Sequence, residues 1–158
     1  MDSERMVHVN VGSNKGNSRL NLSRAMRGIG EVFGPYEISH VVTSPPWGFK
    51  SNRNFLNMGI QFLSSLPAEE ILDKLLKIQQ GISPSSHRTP SGGYADREID
   101  IDIVAIDDEV IETEKLKVPH PHLAERRFFL EPLEELAPSW RHPLTGETVA
   151  EMLSKLGD

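Results

Sequence analysis

Cysteine is absent from this chain. That excludes disulfides, thiol catalysis and any zinc site built on cysteine, and it suits a reducing cytosol. Positive charge is in deficit: 17 Lys and Arg stand against 23 Asp and Glu, for a formal net charge of −6. No global field therefore draws the chain to nucleic acid, and an anionic ligand must be met by local cations or by metal. No apolar run approaches the ~20 residues that span a membrane, and no secretory signal is visible. The polar start, Asp2, Ser3, Glu4 and Arg5, reads as a frayed end. Internal repeats are missing too. What remains is a chain of 158 residues, 37% hydrophobic and 25% charged. This is the composition of a single globular domain over residues 1–158, long enough to bury a proper core.

The most informative stretch runs from Arg97 to Ile106. Ile99, Ile101 and Ile103 alternate with Glu98, Asp100 and Asp102, the period-two pattern of a strand with one buried face. Asp100 and Asp102 then project from the same face, about 6–7 Å apart at two residues of strand rise. Two ionised carboxylates held so close repel, and a divalent cation between them relieves the repulsion. Oxygen-only ligation suits magnesium, and magnesium usually brings substrate phosphates with it. Aspartates on the wet face of an edge strand also discourage edge-to-edge pairing, so the motif alone leaves both readings open.

Around it the chain reads in order. Val7, Val9 and Val11 mark a first strand, and Gly12 to Asn17 a turn. Leu22, Ala25, Met26, Ile29, Val32 and Phe33 form one face of a helix capped by Asn17 or Ser18 and closed at Gly30 and Gly34-Pro35. The Gly-rich turn lacks the Gly-Lys-Ser/Thr of a phosphate-binding loop, which leaves Asn14 free to point into a site. Residues 36–43 are predicted as a second strand. Ser44-Pro45-Pro46-Trp47 follows as a stiff, donor-poor segment, read either as a rigid surface loop or as a wall for a flat heterocycle. Residues 55–63 form a third strand that sets Phe55 beside Asn57, an aromatic to stack on a ring and an amide to read its edge. Pro67 opens a second helix with Ile71, Leu72, Leu75, Leu76 and Ile78 inward. Residues 82–95 make a long polar loop ending on the aspartate strand, the position of a lid.

Beyond the strand, Asp107-Asp108 turns into a short hairpin arm. Pro121 is predicted to open a short helix with basic residues near its end. His120 and His122 lack a third ligand at zinc spacing, so His120, Arg126 and Arg127 read as phosphate donors. Thr148 and Glu151 form a capping box for a last helix, with Val149, Met152, Leu153 and Leu156 inward. The order strand, helix, strand, strand, helix, strand predicts an α+β fold: a ferredoxin-like βαββαβ antiparallel sheet with helices on one face and an appended C-terminal helical segment.

These pieces in this order resemble one family. Gly12-Ser13-Asn14, Ser44-Pro45-Pro46-Trp47-Gly48, Phe55-x-Asn57, Arg97-x-Ile99-Asp100-Ile101-Asp102-Ile103, and Val118-Pro119-His120 with Arg126-x-Phe128 resemble the 6-hydroxymethyl-7,8-dihydropterin pyrophosphokinases of folate biosynthesis. The likeness runs from about residue 7 to residue 138. It implies transfer of the β,γ-pyrophosphoryl group of ATP to the pterin hydroxymethyl, with release of AMP. It implies that Asp100 and Asp102 hold two Mg2+ ions, with Arg97 beside them in catalysis. Asn57 would read the pterin edge, Phe55 and Phe128 would line and stack the ring, and Ser44, Pro45, Pro46 and Trp47 would wall the pocket near Asn14. Arg88, Arg97, His120 and Arg126 would hold ATP phosphates, Ile103 would line the adenine pocket, and Lys115 and Lys117 would flank the nucleotide. The implied protein is a cytoplasmic monomer whose partners are ATP and the pterin, not nucleic acid or membrane.

Three positions depart modestly from the family's habit: Ser44 where threonine is usual, Trp47 where leucine is, and Phe55 where tyrosine is. The larger departure is Tyr94-Ala95-Asp96-Arg97, where the family carries a Trp-Gly-Pro-Arg run after an arginine-rich loop. Here only Arg88, with His87, supplies cations to that loop. A non-catalytic ferredoxin-like module that binds pterin or nucleotide under a degenerate lid is the alternative. A binder of pterin alone would ignore ATP.

Overall fold

Strand β1 (Arg5–Ser13) runs through the middle of the molecule, and its alternation builds two unlike layers. In this computed structural model the described residues are 3–45, 54–83 and 98–157. β1 leads into α1 (Ser18–Phe33), then β2 (Tyr36–Ile38), β3 (Val42–Ser44), β4 (Phe55–Ser64) and α2 (Ala68–Ile82). β5 (Asp100–Ile106), a small hairpin of β6 (Ile111–Glu112) and β7 (Lys117–Val118), α3 (Arg127–Leu136) and α4 (Val149–Leu156) complete the order. The main sheet runs β2-β4-β1-β5, with β3 also paired to β4, and every pairing is antiparallel.

Val7, Val9 and Val11 of β1 join Met58, Ile60 and Phe62 of β4 and Ile101 and Ile103 of β5 in one apolar layer. Leu22, Ala25 and Ile29 of α1 and Ile71 and Leu75 of α2 close it. Each of these side chains larger than alanine, fully buried, contributes about 1.5–3 kcal/mol. The opposite face carries His8, Asn10, Gly59 and Gln61, and α3 lies across it, with Pro132, Leu133 and Leu136 over His8 and Gly59. A Cβ at Gly59 would meet the Pro132 Cβ at 2.7 Å, so the missing side chain is what seats α3 on the sheet. α4 packs outside α3 through Val149 and Met152. The helices thus occupy both faces. Those of the βαββαβ part share one, and the C-terminal segment, rather than being an appendage, covers the other.

Three local expectations change. Residues 36–43 form two strands, not one. The Ser39 hydroxyl accepts from the Gly59 N–H at 2.8 Å and donates to the His40 carbonyl at 2.8 Å, taking the place of a ladder partner and breaking the strand. The helix expected at Pro121 is a single 3-10 turn (Leu123–Glu125), and α3 follows it instead. Pro132 lies inside α3, where an interior proline removes one helical hydrogen bond. Val32, placed in the α1 stripe, is 45% exposed. The caps follow the rules: Asn17 accepts from the Leu20 N–H, and Thr148 with Glu151 forms the capping box. No helix among the described residues is long and apolar enough to cross a membrane.

His8 is buried opposite Gln61 on β4 and Ala105 on β5. Burial lowers its pKa from 6.5 to about 4, and the nearby Asp107 carboxylate offsets only part of that. The folded value is depressed for a base. The unfolded chain therefore takes up an extra proton between these pH values, and stability is lost as pH falls from 6.5 toward about 4. The shift corresponds to roughly 3 kcal/mol. Urea unfolding across this range should show that acid limb, and His8→Gln should reduce its slope by about one proton. An unchanged slope in the variant contradicts the assignment.

Candidate active site

Two rows of residues cross the sheet on the α3 side, set by strand register. Asn57, Gly12 and Asp100 lie in one row, and Gly59, Asn10 and Asp102 in the next. With strands about 4.8 Å apart, Asn57 and Asp100 stand roughly 10 Å from each other across Gly12. The glycine leaves that gap open. A Cβ there would come within 2.9 Å of Asn57 Oδ1 and 3.5 Å of Phe55 Cδ1, so any side chain would displace the amide.

The alternation expected for β5 holds over the aspartates: Ile99, Ile101 and Ile103 are buried, while Asp100 and Asp102 are partly exposed on the other face. It ends at Val104, where the register against β1 slips by one residue and turns Val104 and Ala105 into the α3 layer. β5 is an edge strand of the main sheet, and its outer edge is tied down. Gln79 at the end of α2 accepts from the Ile101 N–H at 2.8 Å, and Ser83 donates to Glu98 at 2.8 Å. The aspartates therefore project from a fixed strand.

The rows form the floor of a cleft open to solvent. Ser44, Pro45 and Phe55 make one wall, Asn57, Gly12 and Asn10 the floor, Asp100 and Asp102 one end, and Arg126, Phe128 and Phe129 the roof. Asn57 is 2% exposed and donates through Nδ2 to Ser44 Oγ at 2.7 Å, which fixes the plane of its amide. The Arg126 guanidinium lies 5.6 Å from the Phe128 ring centre and 5.0 Å from that of Phe129, a buried cation held on two aromatic faces. The His120 ring stands edge-on to Phe129 at 4.9 Å, and its Nδ1 accepts from the His122 N–H at 3.1 Å. In the neutral ring this leaves Nε2 as the protonated donor.

Of the residues singled out from sequence, Ser44, Pro45, Phe55, Asn57, Asp100, Asp102, Arg126 and Phe128 meet in this cleft. His120 joins it through Phe129. Asn14 is buried just past the end of β1 and does not line it. Ile103 does not line this cleft: its side chain is 5% exposed and belongs to the apolar core on the far face, where the same alternation that exposes Asp102 places it. Lys115 lies in the β6–β7 turn and pairs with Asp73 of α2 at 3.6 Å, and Lys117 is exposed on β7, so neither meets the cleft. Pro46, Trp47, Arg88, Arg97 and nearly all of the expected lid lie outside the described residues. Asn10 and Phe129 were not singled out. A lone polar residue on a strand's wet face carries no signal, and Phe129 could be placed only once α3 was seen.

Among the described residues no group of three or more His, Asp or Glu is gathered as a metal cage. Two carboxylates on one rigid strand face nonetheless suit a magnesium ion that takes its remaining oxygens from substrate phosphates and water. The donor set fits hard cations and excludes none of the expected chemistry.

Comparison with known proteins yields one consistent relation. Residues 8–138 match the model of the 7,8-dihydro-6-hydroxymethylpterin-pyrophosphokinase (HPPK) family. A 2-amino-4-hydroxy-6-hydroxymethyldihydropteridine pyrophosphokinase of Aquifex aeolicus is 37% identical over 145 residues, 92% of this chain and 88% of that protein. Proteins of the same name from Porphyromonas gingivalis and Bacillus subtilis are each 32% identical, over 87% and 83% of this chain and 94% and 77% of theirs. Among solved structures, wild-type Plasmodium falciparum HPPK-DHPS superposes with a TM-score of 0.75 at 13% identity over 98% of this chain. This chain spans 45% of that longer one, and at such identity the likeness is one of fold.

Proposed function

The chain belongs to the 7,8-dihydro-6-hydroxymethylpterin-pyrophosphokinase family, and from that premise we propose how its residues carry out the reaction. It is an ATP-dependent diphosphotransferase of folate biosynthesis. The pterin hydroxymethyl oxygen forms a bond to the β-phosphorus of ATP. The bond from that phosphorus to the α,β-bridging oxygen breaks, AMP leaves with the bridging electron pair, and the hydroxyl proton passes to solvent.

The observation that carries the residue assignment is the convergence of Asp100, Asp102, Asn57, Phe55, Phe128 and Arg126 on one cleft. Asn57, its plane fixed by Ser44, reads the edge of the pterin ring, and Phe55 and Phe128 enclose its faces. This sets the hydroxymethyl toward the aspartate end. Asp100 and Asp102 would hold two magnesium ions there, which supply charge neutralisation on the transferred group and a more acidic alcohol. Arg126 and the Nε2–H of His120 face the phosphates from the roof, with Arg97 assigned to the same task by the family resemblance and Arg88 as the arginine of the preceding loop. Because Arg126 rests on two aromatic rings, its charge is already placed before the phosphates arrive. The family resemblance sets Asn14, buried just past the end of β1, near the pterin pocket. The sheet order β2-β4-β1-β5 supports the ferredoxin-like reading of residues 1–158 as one domain. We place the enzyme in the cytoplasm as a monomer.

The test is a crystal grown with a non-hydrolysable ATP analogue, the pterin and magnesium. Two metal ions on Asp100 and Asp102, with the pterin amide edge on Asn57, are expected. A pterin bound elsewhere, or metal held by neither aspartate, overturns the residue assignment.

A further inference from the structure

α3 carries a proline where its own hydrogen bonding needs an N–H. In an α-helix the Phe128 carbonyl accepts from the N–H of residue 132, and that residue is Pro132, which has none. The missing donor comes from the sheet: Asn10 Nδ2 donates to the Phe128 carbonyl at 2.8 Å. Asn10 is 3% exposed, lies in register with Asp102 on the neighbouring strand, and faces Gly59, whose bare backbone leaves it room.

We infer that Asn10 is a positioning residue of the transfer reaction, acting through the Phe128 carbonyl that Pro132 leaves without its helical donor. The inference rests on the pyrophosphokinase reading of the cleft. Helix α3 begins with the residues that roof the site, Phe128 just inside it and Arg126 at its cap. A helix satisfied within itself could shift on the sheet without losing a hydrogen bond. Here one bond of its first turn belongs to β1, and that same strand position is paired with Asp102. The ring clamp and the carboxylates are thereby referenced to one point of the sheet. Pro132 contributes twice, by removing the competing donor and by resting its Cβ over Gly59.

The arrangement makes a prediction that ordinary packing does not. Asn10→Ala should lower kcat/KM for the pterin about tenfold, mostly through KM, since a buried carbonyl loses its partner. The magnesium concentration for half-maximal rate should stay unchanged, because Asp100 and Asp102 remain on β5. Pro132→Ala restores an N–H aimed at the same carbonyl and keeps the Cβ over Gly59. In that background Asn10→Ala should cost no more than about twofold. Equal losses in the two backgrounds overturn the inference, as does a shift in magnesium dependence as large as the shift in pterin KM. If Asn10→Ala alone fails to fold, the double variant, which supplies its own donor, is expected to fold, and its failure to do so also overturns the inference. Absence of AMP release from the unsubstituted protein would instead sink the pyrophosphokinase reading on which the inference stands.

Discussion

Asp102→Asn is expected to lower kcat by about a thousandfold or more while the protein stays folded. The amide keeps the shape of the side chain and removes one of the two charges at the end of the cleft. If that charge holds metal against the transferred phosphates, its loss removes several kcal/mol of stabilisation that matters most in the transition state, and each 1.36 kcal/mol is a factor of ten. Stability should move the other way or not at all, because Asp100 then loses a like-charged neighbour about 6–7 Å away on the same strand face. The measurement is steady-state AMP release across magnesium concentration, beside a thermal melt. A variant that turns over at the wild-type rate would show that the carboxylate does not serve the chemistry. One that melts far below wild type would show that Asp102 is part of the fold.

Asn57→Ala should act on the other substrate. Its amide is buried, held by Ser44 Oγ at 2.7 Å, and has Gly12 cleared of any side chain beside its oxygen. A site built to hydrogen-bond a ring edge discriminates strongly, because its own polar groups are stranded when the partner is missing. We expect kcat/KM for the pterin to fall about a hundredfold, with KM for ATP changed by less than about threefold. Ser44 also loses a partner, so Ser44→Ala should produce a smaller loss of the same kind. Equal effects on both substrates would mean that Asn57 supports the cleft as a whole and does not read the pterin.

Much of this site is written in short-range alternation. Period two along 98–103 separates Asp100 and Asp102 from Ile99, Ile101 and Ile103, and the structure divides them the same way. The same rule pairs Phe55 with Asn57 on the cleft face of β4. Ile103, which the family resemblance sets at the adenine, falls by the same alternation on the core side of the sheet. Long-range facts left no such trace. That α3 covers the second face depends on Gly59 accepting Pro132, residues far apart in the chain, and Pro132 itself argues locally against a helix. The break between β2 and β3 depends on the Ser39 hydroxyl meeting the Gly59 N–H, which no window of sequence around Ser39 contains. Asn10 is the clearest case, a polar strand residue whose meaning is set by a carbonyl 118 positions later.

The central claim is that this cleft moves a pyrophosphoryl group from ATP to a pterin alcohol. The most direct measurement is product analysis after incubating the protein with ATP, 6-hydroxymethyl-7,8-dihydropterin and magnesium, with a matched reaction in chelator. The account predicts AMP and the pterin diphosphate in equal amounts, and neither of them in chelator. Formation of ADP with a pterin monophosphate, or AMP release that continues without metal, would contradict it.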